Sequence, residues 1–261
     1  MWVVKIDTAV ERPTFERFLG GYERDVANAI ALTADGGFIV AGLSNSKTGD
    51  LASYTGKDTF YDAWVVKLNA AGEIEWQHRY GGSGSDWANA VTQTSDGGYA
   101  VGGVTNSYDR DISHNHGRGD AWLMKLDPAG VIEWERTIGG AEYDAIRSVV
   151  ETQDGGLAVA GFTNSIDGDA WSNHGGPDIL VSKYTMQGGL EWEKCLGGTG
   201  IERAYSVAAT NDTALVIAGY ASSLDGDVKG VHGGYDAWIV KLRQNIAATN
   251  ASVGALSSPS M

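Results

Sequence analysis

Acidic residues recur at fixed spacing in three segments of the chain, and each segment also contains histidine. The segments read DRDISHNHGRGD over 109–120, DGDAWSNHGGPD over 167–178 and DGDVKGVHGGYD over 225–236. Oxygen ligands at alternating positions suit calcium, which binds six to eight oxygens. The candidate calcium ligands are Asp109, Asp111, Asp120, Asp167, Asp169, Asp178, Asp225, Asp227 and Asp236.

A structural role explains the same acids, because aspartate side chains accept backbone N–H groups in turns. The alternating acids are not followed by the glutamate at the twelfth position that a helix-loop-helix calcium site requires. A further copy over 48–62 keeps Asp50 and Asp62 but lacks the histidine. Calcium binding and turn capping therefore both stay open. The histidines, one per copy, are expected to bond within their own loops rather than to share a zinc ion.

A second acid recurs four residues after each Gly-Gly pair, as Asp25, Asp86, Asp144 and Glu202. A carboxylate that accepts backbone N–H bonds in a turn accounts for this acid without a metal. The sequence contains no G-x-S-x-G, H-E-x-x-H or phosphate-loop motif, and acid pairs are too frequent to single out a glycosidase pair. The single cysteine, Cys195, lies in an apolar alternation and is expected to be buried and inert. We identify no catalytic residue.

Composition limits the partners of the chain. Its formal net charge is −14 and its pI about 4.6, and a surface this acidic repels phosphate backbones, so we expect no nucleic-acid partner. No run of eighteen apolar residues is present, which predicts no membrane insertion. The N-terminus lacks a charged region followed by an apolar one, which predicts that this chain carries no signal peptide.

Internal repetition dominates the sequence. The segments DAWVVKL, DAWLMKL, DILVSKY and DAWIVKL begin at residues 62, 120, 178 and 236, at a spacing of 58 residues. A further copy begins at Trp2, whose equivalents are the third residues of these segments. Counted from this position, the units start near residues 2, 64, 122, 180 and 238. We predict repeats over residues 1–245 and a flexible, small-residue tail over 246–261.

Each unit is predicted to contain four short strands. In the unit that begins at Trp122, alternating residues, a DPAG turn, the stretches 132–138 and 145–152, a DGG turn and LAVAGFTNS indicate successive hairpins. Almost no helix is expected. Tandem four-stranded units are typical of β-propeller blades, so the predicted fold is an all-β propeller of about four 58-residue repeats plus one extra strand. Either the repeats close as a small ring, with an N-terminal strand pair completing the last blade, or they belong to a longer array.

Residues that recur in every unit are expected to be structural. The aromatic residues Trp76, Trp134 and Trp192 are predicted to pack one blade against the next. Lys67 is predicted to lie opposite Glu75 as a cross-strand ion pair. Residues that do not recur are better candidates for contact with a ligand. These are Trp171, Trp87, His114, Arg110, Arg118 and Tyr54.

The consensus DAWVVKL…GxIxW…GG…DGGYxVxGxTNS resembles the tandem repeats of secreted or surface proteins of bacteria, and is similar to the seven-bladed β-propeller repeat. The resemblance covers residues 1 to about 245. It implies adhesion, sugar or partner binding, or scaffolding outside the cell or on its surface, often beside further repeats or a sorting domain. The G-x-I-x-W element also resembles the tryptophan docking motif of quinoprotein propellers, but no set of axial ligands for the cofactor is identifiable.

These observations lead to two functional hypotheses. The first is a non-catalytic extracellular binding, adhesion or scaffolding module, whose loops on one face contact a glycan or protein surface and which needs no cofactor, calcium being the one candidate. The second is a polysaccharide-active or quinoprotein-like propeller enzyme with an axial site.

Overall fold

The computed structural model describes residues 1–54 and 60–243, and these residues form five antiparallel sheets. The first sheet contains β1 (Trp2–Asp7) and β2 (Arg12–Phe18). The second contains β3 (Asp25–Leu32), β4 (Phe38–Ser44), β5 (Asp62–Leu68) and β6 (Ile74–Tyr80). The third contains β7 (Asp86–Gln93), β8 (Tyr99–Thr105), β9 (Asp120–Leu126) and β10 (Ile132–Ile138). The fourth contains β11 (Asp144–Glu151), β12 (Leu157–Thr163), β13 (Asp178–Tyr184) and β14 (Leu190–Leu196). The fifth contains β15 (Glu202–Ala209), β16 (Leu215–Ala221) and β17 (Asp236–Leu242).

Within every sheet each strand pairs with the next strand along the chain. Prediction of an all-β, repeated fold with almost no helix is confirmed, since the described helical segments are two 3-10 turns, Gly49–Leu51 and Gly168–Ala170. One glycine position recurs for a steric reason. The first strand of each four-stranded sheet has an irregularity in its pairing with the second strand. In the third sheet, Gly103 of β8 lies opposite this irregularity in β7, and a Cβ added to Gly103 would be 1.7 Å from the Trp87 carbonyl oxygen.

The second to fifth sheets stack face to face in the order of the chain. Strand β3 packs against β7, β7 against β11, and β11 against β15. Apolar side chains fill each junction, and the recurrent tryptophans bridge neighbouring sheets as predicted. The indole nitrogen of Trp76 donates to the Pro128 carbonyl, and that of Trp134 donates to the Met186 carbonyl. Each junction between the stacked, blade-like sheets therefore has its own apolar cluster.

The predicted cross-strand ion pair is confirmed and recurs. Lys67 Nζ lies 2.6 Å from Glu75, and the equivalent Lys125–Glu133 and Lys183–Glu191 distances are 2.9 and 2.7 Å. A second acid, which the sequence did not reveal, comes from the DGG turn of the same sheet. The partners are Asp35, Asp96 and Asp154. These lysines are almost fully buried, so two carboxylates compensate each cation.

The two ends of the array differ from its middle. Within residues 1–54 and 60–243, no strand of the fifth sheet is hydrogen-bonded to a strand of the first two sheets. The described strands therefore do not show the N-terminal pair β1–β2 completing the last sheet. The predicted tail over 246–261 lies outside the described residues. Nowhere in the described part is there a helix with the length and apolar character that crossing a membrane requires.

Candidate binding face

Two kinds of connection lie on one side of every sheet, and we call this side the loop face. Successive turns of an antiparallel meander alternate between its two ends. The long loops between second and third strands therefore lie at the same end as the Gly-Gly turns that link one sheet to the next. Their described residues are 45–54, 60–61, 106–119, 164–177 and 222–235. The DGG turns and the turns after β5, β9 and β13 lie at the opposite end.

The recurrent acid after the Gly-Gly pair ties this turn to the neighbouring loop. Asp86 is buried and accepts the Gly82 N–H at 2.9 Å, the Thr105 hydroxyl at 2.5 Å and the Ser107 hydroxyl at 2.7 Å. Burial raises the pKa of Asp86, although these hydrogen bonds act in the opposite direction. Equivalent backbone bonds reach Asp25, Asp144 and Glu202. The prediction that this acid caps a turn is confirmed.

The first two acids of each long loop also accept backbone N–H groups. Asp109 accepts from Ser83 at 2.7 Å and Asp111 from Gly81 at 2.9 Å. Each such pair thereby fastens a long loop to the preceding Gly-Gly turn. Equivalent backbone N–H groups donate to Asp167, Asp169, Asp225 and Asp227. In the first copy, Asp50 accepts the Gly20 N–H.

The last acid of each loop pairs with the recurrent histidine. Asp120 accepts the His116 backbone N–H at 2.8 Å and lies 2.5 Å from His116 Nδ1. The corresponding His174–Asp178 and His232–Asp236 distances from Nδ1 are 2.6 and 3.3 Å. Each histidine thus bonds within its own loop. Burial raises the pKa of Asp120 and Asp178, and the histidine contacts oppose this shift.

These bonds bear on the calcium hypothesis. Among residues 1–54 and 60–243, no group of three or more His, Cys, Asp or Glu side chains is arranged to hold a metal ion. The carboxylates of the long loops instead point at backbone N–H groups. Their geometry supports turn capping, and calcium binding stays a prediction that only a measurement with the ion decides.

The first long loop replaces the histidine with different chemistry. Asp62 accepts the Tyr54 hydroxyl at 3.0 Å and lies 2.6 Å from Arg79 Nη2. The Arg79 guanidinium also lies over the Tyr54 ring, 4.0 Å from its centroid. Tyr54, a candidate ligand residue, is therefore held by Asp62 of β5 and Arg79 of β6. Arg79 was not among the candidate residues from the sequence. The available signal was that it does not recur and that it lies in the copy without the histidine.

The other candidate ligand residues divide into exposed and engaged side chains. Trp171 is 79% exposed, immediately after the 3-10 turn Gly168–Ala170. His114 is exposed and packs edge to face on His116, and Arg118 is exposed and pairs with Glu142 at 3.2 Å. Arg110 donates to the Gly82 carbonyl at 3.2 Å. Trp87 is half-buried against Val104, Ala145 and Phe162.

Exposed apolar residues also follow each TNS-like segment, and the sequence reasoning did not single them out. Tyr108, Ile166 and Leu224 occupy equivalent positions and are 65%, 70% and 79% exposed. The available signal was a large apolar residue directly after Ser107, Ser165 and Ser223. Together with Trp171, these residues place apolar surface on consecutive loops of the loop face.

A titratable carboxyl group lies beneath the loop that carries Trp171. Burial, with a smaller contribution from the nearby Asp169, raises the pKa of Glu193 to about 7, although the hydrogen bond from the Ser182 hydroxyl at 3.0 Å opposes the shift. Cys195 is buried as predicted, and burial raises its pKa to about 11. A thiol with this pKa is protonated at neutral pH and is a poor nucleophile.

Comparison with known proteins gives distant likenesses. No family model matches the chain. A curated relative, the regulatory protein FlaEY of Caulobacter vibrioides, is 28% identical over 162 residues, which is 58% of this chain. The chain spans 16% of the length of this relative.

Two solved structures are also similar. A protein of unknown function from Bacteroides caccae has a TM-score of 0.47 and 12% identity, over 83% of this chain and 61% of that one. The tail fibre of a Staphylococcus aureus phage has a TM-score of 0.26 and 12% identity, over 92% of this chain and 57% of that one.

Proposed function

We propose that the chain is a β-propeller module, or a segment of a longer propeller array, that binds a glycan or protein partner outside the cell without catalysis. The stacked four-stranded meanders support a propeller, because the blades of a propeller are four-stranded sheets repeated around an axis. The extracellular or cell-surface location rests on the resemblance of the repeats to secreted and surface proteins. Further repeats or a sorting domain would accompany this chain in such a protein.

The observation that carries the proposal is the presentation of Trp171. Its loop is anchored by Asp167, which accepts the Ala141 N–H at 2.8 Å, and by Asp169, which accepts the Gly139 N–H at 3.2 Å. A large ring that is 79% exposed on an anchored loop loses little conformational freedom when a partner covers it. Tryptophan side chains of this kind dominate the energetics of many protein interfaces.

The neighbouring loops add variable contacts around this ring. Tyr108, Ile166 and Leu224 contribute apolar surface, and Arg118 and His114 contribute polar groups that differ between copies. Variable side chains on a repeated frame suit selection of one partner. The net charge of −14 disfavours a polyanion such as nucleic acid.

The proposal is tested by screening the full chain on a glycan array and comparing its hits with Trp171→Ala. We expect this substitution to weaken binding about tenfold or more, as truncation of an interface anchor does, without lowering the melting temperature. Val131→Ala is the matched control, because Val131 is 60% exposed in the turn after β9, on the side opposite the loop face.

Two outcomes would contradict the proposal. Equal binding by wild type and Trp171→Ala would place the contact elsewhere. Turnover of any glycan above blank, in a parallel panel of polysaccharide hydrolysis assays, would favour the polysaccharide-active alternative over a binding module.

A further inference from the structure

The outer face of β3 is exposed where its counterparts are covered. Ile30 is 54% exposed, whereas the equivalent residues Val91, Val149 and Val207 are 8%, 8% and 6% exposed. Those valines pack against the preceding sheet. Leu32, on the same face of β3, is 75% exposed. The face of β3 is thus built to be covered, and within the described residues nothing covers it.

A groove runs beside this face and along the outer edge of β1. It has a volume of about 320 Å³ and is lined by Trp2, Val3, Val4, Val40 and the segment 27–30. In the described residues β1 pairs only with β2, whereas the equivalent strands β5, β9 and β13 each also pair with the second strand of their sheet. The groove therefore has the position of two missing strands, the first and second of a four-stranded sheet.

Lys5 at this edge lacks the aspartate partner that the equivalent lysines of the other sheets have. Lys5 is equivalent to Lys67, Lys125, Lys183 and Lys241, each of which bonds an aspartate from the turn between first and second strands. Lys5 forms no ion pair with an acid in the described part of the chain, and its Nζ lies 5.7 Å from the centroid of the Phe38 ring. The missing strands would bring such an aspartate to Lys5.

The other end of the array offers two strands of the required kind. Strands β15 and β16 occupy the first and second positions of the last sheet, and their turn carries Asp212. Beside them β17 occupies the position that β1 would take. It alternates between half-buried and exposed residues, whereas β5, β9 and β13 are buried throughout. Its half-buried residues Trp238, Val240 and Leu242 pack against the core of this sheet. Trp2, Val4 and Ile6 of β1 are their equivalents, so β1 of a second copy would replace the contacts that β17 gives up.

We propose that this chain self-associates head to tail, by placing β15 and β16 of one copy in the groove of a second copy. Strand β1 of the second copy takes the place of β17 beside β16, so that β15, β16, β1 and β2 form one four-stranded sheet. This sheet has the same strand order as the sheets of a single copy. The interface between two copies repeats the packing between consecutive sheets of one copy. Lys5 faces Asp212, and the new sheet covers Ile30 and Leu32. The interface is heterologous, so further copies extend the array or close it into a ring.

Mass measurement of the full chain by sedimentation velocity, over a wide range of protein concentration, tests this proposal. We expect species larger than one copy that grow with concentration. Ile30→Lys should weaken the association at least about tenfold, because it places a charge in an apolar junction, with an unchanged melting temperature of the single copy. Val131→Lys, at a position 60% exposed and remote from the groove, is the matched control and should associate like wild type.

A second pair of variants tests the exchange of strands. Lys5→Glu should weaken association, because it places like charges opposite each other at Asp212. Ile239→Lys should leave association unchanged, since β17 lies outside the new sheet. The proposal is overturned if the mass stays that of one copy at every concentration, or if Ile239→Lys weakens association as much as Ile30→Lys does. The latter result would mean that the end sheets meet face to face with β17 in place.

Discussion

Strands β9 and β17 carry nearly the same sequence, DAWLMKL and DAWIVKL, but differ in their environment. Trp122 is 1% exposed and every residue of β9 is buried, whereas Trp238 is half-buried and β17 alternates. The side chain of Lys125 is 1% exposed, and that of Lys241 is 42% exposed. The burial of this repeated strand is therefore supplied by its neighbours, the fourth strand and the following sheet.

The lysines show the same dependence on neighbours. Both keep the aspartate from the DGG-type turn, at 2.8 Å for Lys125 and 2.7 Å for Lys241. The hydrogen bond from Lys241 lowers the pKa of Asp212 to about 2. Lys125 gains a second acid, Glu133 on β10, whereas no fourth strand pairs with β17 among the described residues. The second carboxylate appears where burial makes a lone cation costly.

The largest expected effect is a difference between two equivalent tryptophans. Trp122→Ala should lower the free energy of unfolding by about 3–5 kcal/mol, because it leaves a large cavity in the core. Trp238→Ala should cost about 1–2 kcal/mol, because part of this ring already contacts water. Urea unfolding of both variants measures the difference. Equal losses would show that the end sheet is as well covered in solution as the inner sheets.

A smaller effect is expected at Glu193, which lies on β14, the fourth strand of the fourth sheet. Burial raises the pKa of Glu193 to about 7, above the value of about 4.3 for an unfolded glutamate. The folded state therefore holds the proton more tightly, and this group lowers stability as pH rises from about 4 to about 7. Glu193→Gln should raise the free energy of unfolding at pH 8 by on the order of 1 kcal/mol and have little effect at pH 4.

The matched control for this variant is Glu135→Gln in the preceding sheet. Glu135 accepts hydrogen bonds from the Trp122 indole and the Ser113 backbone, both at 3.1 Å, so its replacement should not stabilise the protein at pH 8. Gln77 occupies the same position in the second sheet and donates to the Asp50 carbonyl, which shows that glutamine fits there. A pH-independent effect of Glu193→Gln would contradict the raised pKa.

The smallest expected effect is that of calcium on the long loops. The carboxylates of an inner loop and of the last loop make the same backbone bonds, from Ala141 to Asp167 and from Thr199 to Asp225, both at 2.8 Å. If capping accounts for these acids, the melting temperature should be the same in a chelator and in millimolar calcium. A rise with calcium that the chelator reverses would support the calcium hypothesis.

Repetition made much of the fold predictable. The stretch 132–138 coincides with β10, and the stretch 145–152 differs by one residue at each end from β11, because period-two alternation and glycine turns mark strands clearly. The Lys67–Glu75 pair followed from centring a hairpin on its turn. The Lys67–Asp35 bond did not, because it joins residues 32 positions apart whose approach depends on the register of three strands.

The candidate site was less predictable. Trp171, His114 and Arg118 were recognised as residues that break the repeat, and they are exposed on the loop face. Trp87 breaks the repeat as well, but its ring lies against the next sheet. Tyr54 is held by Arg79 and Asp62, which come from different strands. Lack of recurrence identifies a residue under different constraints, whereas exposure depends on what packs over it.

The sequence by itself determined the strands, their turns and the acid that caps each Gly-Gly turn, because these depend on local backbone preferences that recur in each copy. The tertiary structure decided which copies of a residue are buried. The hydrogen-bonded neighbours of an inner strand are adjacent along the chain, but the sheets that cover it belong to other repeats. Ile30 and Val91, or Ile239 and Val65, occupy equivalent repeat positions and differ because only one of each pair has a sheet across from it.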